Sequence, residues 1–594
     1  MTSHRFIEES FPVKEVGLAA AREKSIRQGH ISTLHIWWAR RPLAASRATA
    51  YAALTSAPTT IEEWQQRRDL IIDLCQWSNS LNERLLEKAR QDILQLNGGR
   101  PPRVLDSFAG GGSYPLEAMR LGCETYACDY NPVAVLILKA TLEYPVRFGR
   151  PIPVQDEEAR ETNSLFGDML PERAEVNPLL EAVKCWGTWI LQEARKELAQ
   201  FYPSDADGSN PVGYIWARTI PCQNPSCGII VPLMRQFWLA KKDKKKVALH
   251  PSIVEGSVAF KIVGDGYETW PVGFDASRGT VVGAVVTCPC CGSVIDDKIT
   301  RRLFQEGQAK QRMVALVLEN PERLGKSYRV ATQEDECIFH QAADPLKEKR
   351  ERLMLEWGLD PIPDEPLAFM SGVFNVPLYG MDTWGALFSS RQQLALITFA
   401  DKVRQAHTEM AKEGYDPEFS IAVSTYLAII FDRLADKNSN LVIYNTIGEK
   451  VEHVFGRQAL GMVWDYVEVN PFTHVGWPNM QNWVELVLTH LSKIRPVERE
   501  GGKTIRTNPQ LSSNANVLSP MVISPSTYIP LVTQSSATAL PYPDGFFDAV
   551  LTDPPYYNSV PYKVMWTLSG RNVCSHNLFY VDILAKCLHK CRFK

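Results

Sequence analysis

The stretch RVLDSFAGGGSYPLEAMRLGCETYACD, Arg103 to Asp129, decides the fold class of this chain. RVLDSF reads as a short apolar strand, AGGGS as a flexible turn, YPLEAMRLG as a helix and CETYACD as a second strand. NPVAVLILKATLEYP follows and predicts a second helix. This alternation is typical of the opening of a doubly wound, parallel α/β sheet, and we expect that architecture here.

The glycines of this turn suit a ligand site at the amino end of a helix. Gly110, Gly111 and Gly112 let the backbone approach a ligand closely. Asp129 ends the second strand, where acids of nucleotide-binding folds accept hydrogen bonds from a ribose diol. Asp106 ends the first strand and is placed to meet a positively charged or amino-bearing group. The alternative interpretation is a plain strand–helix turn without a ligand.

Two other kinds of nucleotide site do not fit this turn. A dinucleotide site needs G-x-G-x-x-G, and a phosphate loop needs G-x-x-x-x-G-K-[ST]. Neither is present, since Ser113 is followed by Tyr and Pro and no lysine follows the turn. The pattern D-x-F-x-G-x-G, with an acid at the end of the second strand, instead resembles the S-adenosylmethionine (SAM) site of class I methyltransferases.

A second motif lies near the other end of the chain, FDAVLTDPPYYNSVPY, Phe547 to Tyr562. Its residues Ala549 to Leu551 predict a buried strand that runs into Asp553 and two prolines. Prolines fix the backbone and remove N–H donors, so the motif is stiff, and it follows a strand, where open α/β sheets bind ligands. A tight turn with a surface tyrosine is the alternative.

This motif resembles the [D/N/S]-P-P-[Y/F/W] motif of amino-group methyltransferases that act on nucleic acids. The resemblance implies that the Asp553 carboxylate and the Pro554 carbonyl accept hydrogen bonds from the target amino group. Tyr556, which follows Pro555, would stack on a base turned out of the duplex. Because the sulfonium is an excellent leaving group, no tuned general base is required, and catalysis is mainly positioning and electrostatics.

Four cysteines have the spacing of a zinc ribbon: Cys222-x4-Cys227 and Cys288-x2-Cys291, each pair followed by glycine. The glycine lets the chain turn so that backbone N–H groups face the sulfurs, and two such knuckles make a tetrahedral structural Zn²⁺ site. Cys290 is a spare thiol that could replace Cys291, although the pattern Cys-Pro-x-Cys-Gly favours Cys291. A deaminase zinc would need H-x-E, which is not near these cysteines. A ribbon without metal stays open.

Composition limits the class of protein. The chain has 594 residues, 13 cysteines and a formal net charge of −3, so it is not a uniformly basic nucleic-acid coat, and any polyanion site is a local patch. We expect no membrane span, because no run of about 18 apolar residues occurs. The amino terminus has no apolar signal core, which favours a cytoplasmic location.

Two basic stretches are candidate patches. Residues 22–47 carry many cations and a single acid, with aromatic rings interleaved. They suit phosphate and base contacts as well as a solvated helix face with core tryptophans. The candidate nucleic-acid contacts there are Arg40, Arg41, Trp37 and Trp38. The run KKDKKK, Lys241 to Lys246, predicts a solvated hairpin tip, with a phosphate contact as the alternative.

Together the motifs resemble one family, the zinc-ribbon-containing, adenine-specific DNA methylases. The segments that carry this resemblance are STLHIWWARRPLAASRA, FAGGGS…CDYNPVAV, DAVLTDPPYYNSVPY and the cysteine ribbon, and it covers most of residues 5 to about 562. Members open with an uncharacterised domain and often lie in anti-phage gene clusters. The resemblance implies SAM-dependent methylation of adenine N6 in DNA, within a defence or restriction-modification-like system whose other proteins are possible partners.

The family's functional residues carry over to this chain by motif. Those for the methionine end of SAM are Asp106, Phe108, Gly110 and Gly112. Asp129 corresponds to the residue that binds the ribose of SAM. The residues that correspond to those contacting the target base are Asp553, Pro554, Pro555 and Tyr556. By analogy with methylases whose cofactor site begins before the glycine strand, the resemblance also places HIWWARRP near the SAM carboxylate.

The predicted organisation is a class I methyltransferase domain interrupted by a large insertion. The predicted segments are a basic, aromatic amino-terminal domain (1–60), the first half of the SAM-binding domain (61–170), the insertion with the zinc ribbon (171–300), a mostly helical region considered for DNA recognition (301–500), a linker (501–528) and the second part of the methyltransferase domain (529–594).

Two alternatives to DNA methylation stay open. RNA base amino-methyltransferases share the proline motif, although no recognisable RNA-binding module is present. A catalytically incomplete DNA-binding defence component is the other. It becomes serious because the residues after Tyr556 depart from the family pattern and are fewer than a class I sheet needs. We therefore expect residues 1–594 alone to be weakly active or inactive unless a second polypeptide completes the sheet.

Overall fold

The computed structural model describes residues 4–9, 11–153, 175–456, 459–496 and 527–554. The chain divides into two compact units. The first unit comprises Met1–Gly187, Ala406–Ile429 and Asn482–Tyr562. Within the described residues, the second unit comprises Thr188–Gln405 and Ile430–Gln481. The domain boundaries drawn from the sequence remain predictions.

Helices and strands alternate along the described residues. The α-helices are α1 (Val13–Glu23), α2 (Leu43–Ala53), α3 (Ile61–Leu74), α4 (Glu83–Leu96), α5 (Ser113–Arg120), α6 (Pro132–Leu138), α7 (Tyr144–Phe148), α8 (Pro178–Leu198), α9 (Asp297–Gln305), α10 (Gln333–His340), α11 (Ala343–Trp357), α12 (Ser390–Lys412), α13 (Pro417–Asp436) and α14 (Trp477–Leu491).

The strands are distributed over both units. They are β1 (Arg103–Asp106), β2 (Glu124–Asp129), β3 (Ile152–Pro153), β4 (Glu175–Val176), β5 (Asn210–Pro221), β6 (Ile230–Leu233), β7 (Trp238–Lys242), β8 (Lys245–Val254), β9 (Ser257–Gly264), β10 (Val281–Val282), β11 (Val285–Thr287), β12 (Val294–Ile295), β13 (Lys310–Glu319), β14 (Lys326–Val330), β15 (Tyr444–Asn445), β16 (Lys450–Val451), β17 (Asp465–Val469), β18 (Leu531–Gln534) and β19 (Ala549–Val550).

The first unit contains a four-stranded parallel sheet in the order β18–β2–β1–β19. Numbered along the chain within this sheet, the order is 3-2-1-4. Doubly wound sheets begin with the same order, and their ligands bind beyond the carboxyl ends of the strands where the order reverses, here between β1 and β19. The predicted α/β architecture with a parallel sheet is therefore confirmed.

The two faces of this sheet are covered by different parts of the chain. Val104 of β1 belongs to a core cluster built mainly from helices α1 to α5. Its neighbour Leu105 belongs to a smaller cluster with Tyr126 and Cys128, onto which residues 540–547 pack. Successive side chains of a strand point to opposite faces, so the central strand β1 is buried between these two clusters.

A buried charge cluster fixes α5, the helix that follows the glycine turn, against the amino-terminal helices. Glu117 of α5 pairs with both Arg47 of α2 and Arg120, and all three side chains are buried. Arg47 also donates a hydrogen bond to the Leu74 carbonyl at the end of α3 (2.5 Å). Burial alone would raise the pKa of Glu117, but the two arginines outweigh it and lower the pKa.

We expect Glu117→Gln to destabilise the first unit by about 3–5 kcal/mol, because it leaves two buried guanidinium groups without their counter-charge. Hydrogen exchange of amides in α2 and α5 under native conditions measures this loss locally. Glu87→Gln on α4 is the matched control, since the Glu87 side chain is 56% exposed and its loss should cost less than about 0.5 kcal/mol. Equal exchange rates in the two variants would contradict the assignment.

The second unit has a mixed core of sheets and helices. Its largest sheet has the order β14–β13–β5–β17, with β6 also paired to β5, and its strands are antiparallel. The buried Arg391 of α12 binds both carboxylate oxygens of Glu468 of β17, at 2.8 and 2.9 Å. A separate antiparallel sheet is formed by β7, β8 and β9.

Three sequence-based expectations about local structure are wrong. The apolar positions from about Ile61 to Leu96 have helical spacing and predict one helix, but the region forms two helices, α3 and α4, separated by a short turn of 3₁₀ helix at Trp77–Asn79. The sequence from Lys298 to about His407 predicts alternating helices and proline loops, but this region also contains β13 and β14. The strand predicted as buried at 549–551 is exposed at Val550 (55%), because in the described part of the chain β19 pairs only with β1.

No helix within the described residues is both long and apolar enough to cross a bilayer.

Candidate functional site

The glycine turn is tied to the end of β2 by Asp129. The Gly110 N–H donates to Asp129 Oδ2 (2.8 Å) and the Asn131 N–H donates to Oδ1 (2.9 Å). Burial raises the pKa of Asp129, and these backbone hydrogen bonds partly offset the shift. Gly110 and Gly112 have φ of 47° and 82°, a conformation that favours glycine. The turn predicted from the sequence therefore has the backbone geometry that its glycines permit.

Asp106 is a buried carboxyl group at the end of β1. Its Oδ1 accepts hydrogen bonds from the Thr552 hydroxyl (2.8 Å) and from the Phe108 N–H (3.1 Å). Burial raises its pKa to about 7, and the nearby Asp129 and Asp553 contribute in the same direction. A buried acid with this pKa needs a cationic partner to be fully charged near neutral pH.

Asp553 lies beside Asp106, at the end of β19. The hydrogen bond from Thr552 joins the two motifs across 446 residues of sequence. The pairing of β1 with β19 explains this proximity, since Val104 and Leu105 are opposite Ala549 and Val550, and parallel strands end on the same edge of the sheet.

Arg41 binds Asp553 with two nitrogens. Its Nη2 donates to Oδ1 (2.7 Å) and its Nε donates to Oδ2. The two side chains are 40% and 24% exposed, so the pair is accessible to solvent and its loss costs at most about 1 kcal/mol. Such a pair orients the Asp553 carboxylate, and another hydrogen-bond donor can still reach it.

The segment Trp37–Arg41 packs directly on the glycine turn. A Cβ added at Gly110 would lie 2.6 Å from Trp37 Nε1, and one added at Gly111 would lie 2.6 Å from Arg40 Nε. Arg40 is half-buried as a residue, but its Nε and Nη2 are buried and have no hydrogen-bond partner among the described residues. Burial lowers the pKa of Arg40 to about 10. A cation with unsatisfied donors beside a glycine turn suits an anionic ligand group.

Local contacts explain how this segment reaches the turn. The Glu23 carboxylate accepts hydrogen bonds from the Leu43 and Ala44 N–H groups and so caps α2 (2.7 and 2.8 Å). The Ser113 hydroxyl donates to the Arg41 carbonyl (2.7 Å). These contacts place the chain before α2 across the amino end of α5.

The remaining predicted site residues differ in how they are placed. Phe108 is 40% exposed at the turn, Trp38 is half-buried, and Pro554 is exposed after Asp553. Pro555 and Tyr556 lie outside the described residues. Thr552 and Ser113 were not identified from the sequence, because a hydroxyl residue beside a motif carries no distinguishing pattern.

The four predicted zinc ligands lie together in the second unit. The Sγ atoms of Cys222, Cys227, Cys288 and Cys291 all lie within 4.8 Å of one another. The distances of 3.7 Å (Cys222 to Cys291) and 3.8 Å (Cys227 to Cys288) match the edge of about 3.8 Å of a tetrahedron with Zn–S bonds of about 2.3 Å. Cys290 is exposed and outside this cluster.

The chain turns at each cysteine pair as the sequence predicts. Gly228 and Gly292, which follow the second cysteine of each pair, have φ of 61° and 72°. Because a side chain is strained in this conformation, glycine allows the tight turn that brings both sulfurs of a pair to one point. The donor set of four cysteine sulfurs fits a structural Zn²⁺ ion.

We expect Cys227→Ser to reduce the zinc content of the purified protein from about one ion per chain to near zero. It should also lower the unfolding temperature of the second unit, because metal binding free energy is folding free energy in such sites. Cys290→Ser is the matched control and should change neither quantity. Zinc content by atomic absorption, with calorimetry, measures both. Full zinc occupancy in Cys227→Ser would contradict this ligand set.

Comparison with known protein families gives one match, in the amino-terminal region. A family model described as "Protein of unknown function (DUF1156)" matches residues 10–78. No curated protein and no solved structure matches the chain. The matched residues form α1 to α3, which pack on the sheet, and include the segment that carries Arg41 to Asp553.

Proposed function

We propose that this protein transfers the methyl group of SAM to the N6 amino group of adenine in DNA. The observation that carries the proposal is the hydrogen bond between Thr552 and Asp106, which brings the glycine-turn motif and the D-P-P-Y motif to one edge of a parallel sheet. Each motif alone resembles one half of a methyl-transfer site. Their meeting at the reversal of strand order, where doubly wound sheets bind ligands, supports a single site.

The residues on the donor side fit SAM. The buried Asp106 has a pKa raised to about 7, and its hydrogen-bond partners within the described residues, Thr552 and the Phe108 N–H, are uncharged, which suits the ammonium group of the methionine moiety. The Asp129 carboxylate accepts backbone N–H groups on both oxygens and, with about four acceptor sites in all, retains capacity for a ribose hydroxyl. Arg40, with its unsatisfied buried nitrogens, suits the carboxylate.

The residues on the acceptor side fit an exocyclic amino group. That group is a poor nucleophile because its lone pair is delocalised into the base. The Asp553 carboxylate and the Pro554 carbonyl accept hydrogen bonds from its two N–H groups and so orient its lone pair toward the methyl group. The amino group must replace at least one of the two hydrogen bonds from Arg41, an exchange that the exposure of this pair makes inexpensive. Stacking of the base on Tyr556 remains a prediction.

SAM supplies an electrophilic methyl group on a good leaving group. The chain's own residues therefore act by positioning and electrostatics rather than by general-base catalysis. Asp106 fixes one end of the donor, and Asp553 fixes the acceptor at the same sheet edge. A structural Zn²⁺ in the cysteine cluster would stabilise the second unit and take no part in this chemistry. A role in an anti-phage or restriction-modification system, with cytoplasmic location, rests on the family resemblance and on the composition.

Transfer of tritiated methyl from SAM to duplex DNA and to RNA of the same sequence tests the proposal. The expected result is label in DNA, recovered as N6-methyldeoxyadenosine after digestion to nucleosides. Label that enters RNA and not DNA would favour the alternative of an RNA base methyltransferase. Label in another nucleoside would contradict the adenine assignment.

A further inference from the structure

We infer that one face of the β7–β8 hairpin, carrying Lys241 and Lys246 with Lys244 at the turn, binds the phosphate backbone of duplex DNA. The inference rests on the proposed function for its partner and names a surface for that substrate within the second unit. None of the residues of this surface belongs to the site at Asp106 and Asp553.

The register of the hairpin divides its five lysines. Lys241 is opposite Lys246, and Lys242 is opposite Lys245. Neighbouring residues of a strand point to opposite faces, so each face of the hairpin carries one cross-strand lysine pair. Like charges directly opposite each other on one face destabilise a hairpin unless an anion lies between them.

One face resolves this repulsion within the protein. Lys242 pairs with the buried Glu449, and Lys245 Nζ lies 2.7 Å from Glu449 Oε1. Lys326 Nζ donates to the backbone carbonyl of Glu449 (2.6 Å), and the Tyr328 hydroxyl donates to the Glu449 side-chain carboxylate. Glu449 has φ of 47°, a strained conformation for a side-chain-bearing residue, and these contacts hold it there. Lys242 and Lys245 are therefore structural.

The other face has no paired acid among the described residues: Asp243, in the turn between Lys242 and Lys244, is exposed and forms no ion pair there. Lys241, Lys244 and Lys246 are exposed and form no ion pair among the described residues. Asp265, the nearby acid, accepts a hydrogen bond from the Lys246 backbone N–H (2.8 Å) and does not pair with its ammonium. A tight cross-strand lysine pair without a counter-charge is complementary to the closely spaced phosphates of a DNA backbone.

Aromatic residues hold this face in a defined geometry. Lys241 Nζ lies 5.5 Å from the centroid of the Trp238 ring. The Trp238 ring packs on Trp270 at 5.2 Å between centroids, and its Nε1 donates to the Ser277 hydroxyl (3.0 Å). A cation over a fixed ring loses less conformational freedom on binding than a free lysine does. The Trp238 ring thus preorganises Lys241, one cation of the pair.

Binding of the purified full-length chain to a fluorescent DNA duplex tests the inference. Simultaneous replacement of Lys241, Lys244 and Lys246 by Ala should weaken binding about tenfold or more at 0.15 M salt. It should reduce the slope of log K against log salt concentration by about 2 to 3, since each lost phosphate contact contributes about 0.9. Replacement of the same three residues by Arg should restore both quantities, which a folding defect would not allow.

A matched control separates a local surface from net charge. Lys298, Lys310 and Lys347 are exposed lysines of the same unit outside the hairpin, and their replacement by Ala removes the same charge. This control should leave the DNA affinity within about twofold of the unaltered chain. An equal loss in the control, an unchanged affinity in the hairpin variant, or a loss confined to RNA of the same sequence would each overturn the inference.

Failure of this inference can be told apart from failure of the proposed function. If the hairpin variant binds DNA like the unaltered chain while Asp553→Ala abolishes methylation, the surface is wrong and the proposed function stands. If the hairpin variant loses DNA binding while adenine methylation is absent from the unaltered chain, the surface stands and the catalytic proposal fails. SAM binding should be the same in the hairpin variant and the unaltered chain.

Discussion

Asp553→Ala is expected to reduce methyl transfer to DNA by at least about 100-fold. The substitution removes the acceptor that orients the adenine amino group, and loss of one preorganised hydrogen-bonding group at a reacting centre typically costs a factor of this size. The fold should persist, because the lost pair with Arg41 is solvent-accessible and contributes little to stability. Initial rates of tritiated methyl transfer measure the effect.

Two further variants sharpen this prediction. Asp553→Asn keeps one carbonyl oxygen as an acceptor and should retain activity within about tenfold of the unaltered chain, in line with the asparagine that the motif accepts. Asp544→Ala is the matched control, an exposed acid on the same approach to β19, and should transfer methyl groups at the unaltered rate. Loss of activity in Asp544→Ala equal to that in Asp553→Ala would contradict a specific role for Asp553.

Asp106→Asn is expected to weaken SAM binding at least about thirtyfold at pH 8. Truncating one partner of a buried charge pair costs about 2 kcal/mol or more, and the asparagine amide lacks the charge that holds the ammonium group. Because burial raises the pKa of Asp106 to about 7, the carboxyl group is increasingly protonated below that pH. The SAM affinity of the unaltered chain should therefore fall about tenfold for each pH unit below 7 and level off above it. Equilibrium dialysis with labelled SAM measures both effects, and Asp106→Asn should lack this pH dependence.

The same substitution has a predicted effect on stability with the opposite sign. The pKa of Asp106 is about 7 in the folded protein against an ordinary value of 3.8, so the folded state binds the proton more tightly than the unfolded chain. Stability from this group is complete below pH 4 and is lost as pH rises to 7, by on the order of 4 kcal/mol in all. Asparagine does not ionise, so Asp106→Asn does not lose this stability as pH rises. Its stability relative to the unaltered chain should therefore increase from pH 4 to pH 8, and a constant difference would contradict the buried charge.

The first unit shows which features local sequence determines. The residues from Arg103 to Asp129 contain a complete strand, turn, helix and strand, and each carries its own signal: an apolar run, consecutive glycines and an acid at the strand end. The cysteine ligands were equally clear, because spacing and the following glycine describe a local turn. The structure places both as expected, including Cys291 rather than Cys290 in the cluster.

Contacts between distant residues had no such signal. Arg41 and Asp553 are 512 residues apart, and nothing in either motif indicates the other. The basic stretch around Arg41 fitted a solvated helix face as well as a phosphate site, whereas in the structure it lies on the glycine turn. Strand β13 was missed because its residues Met313 to Leu318 are continuously buried, and a short apolar run does not distinguish a strand from a buried helix.

The central claim is that Asp553 and Asp106 belong to one site that methylates adenine in DNA. The most direct test is mass spectrometry of nucleosides from cells that lack adenine methylation of their own and express the unaltered chain or Asp553→Ala. Sustained expression in cells arrested before replication lets the product of a slow enzyme accumulate, because replication dilutes methylated adenine. We predict N6-methyldeoxyadenosine in DNA of cells with the unaltered chain and its loss with Asp553→Ala. The same amount of modified adenine in both, or none in either, would contradict the account.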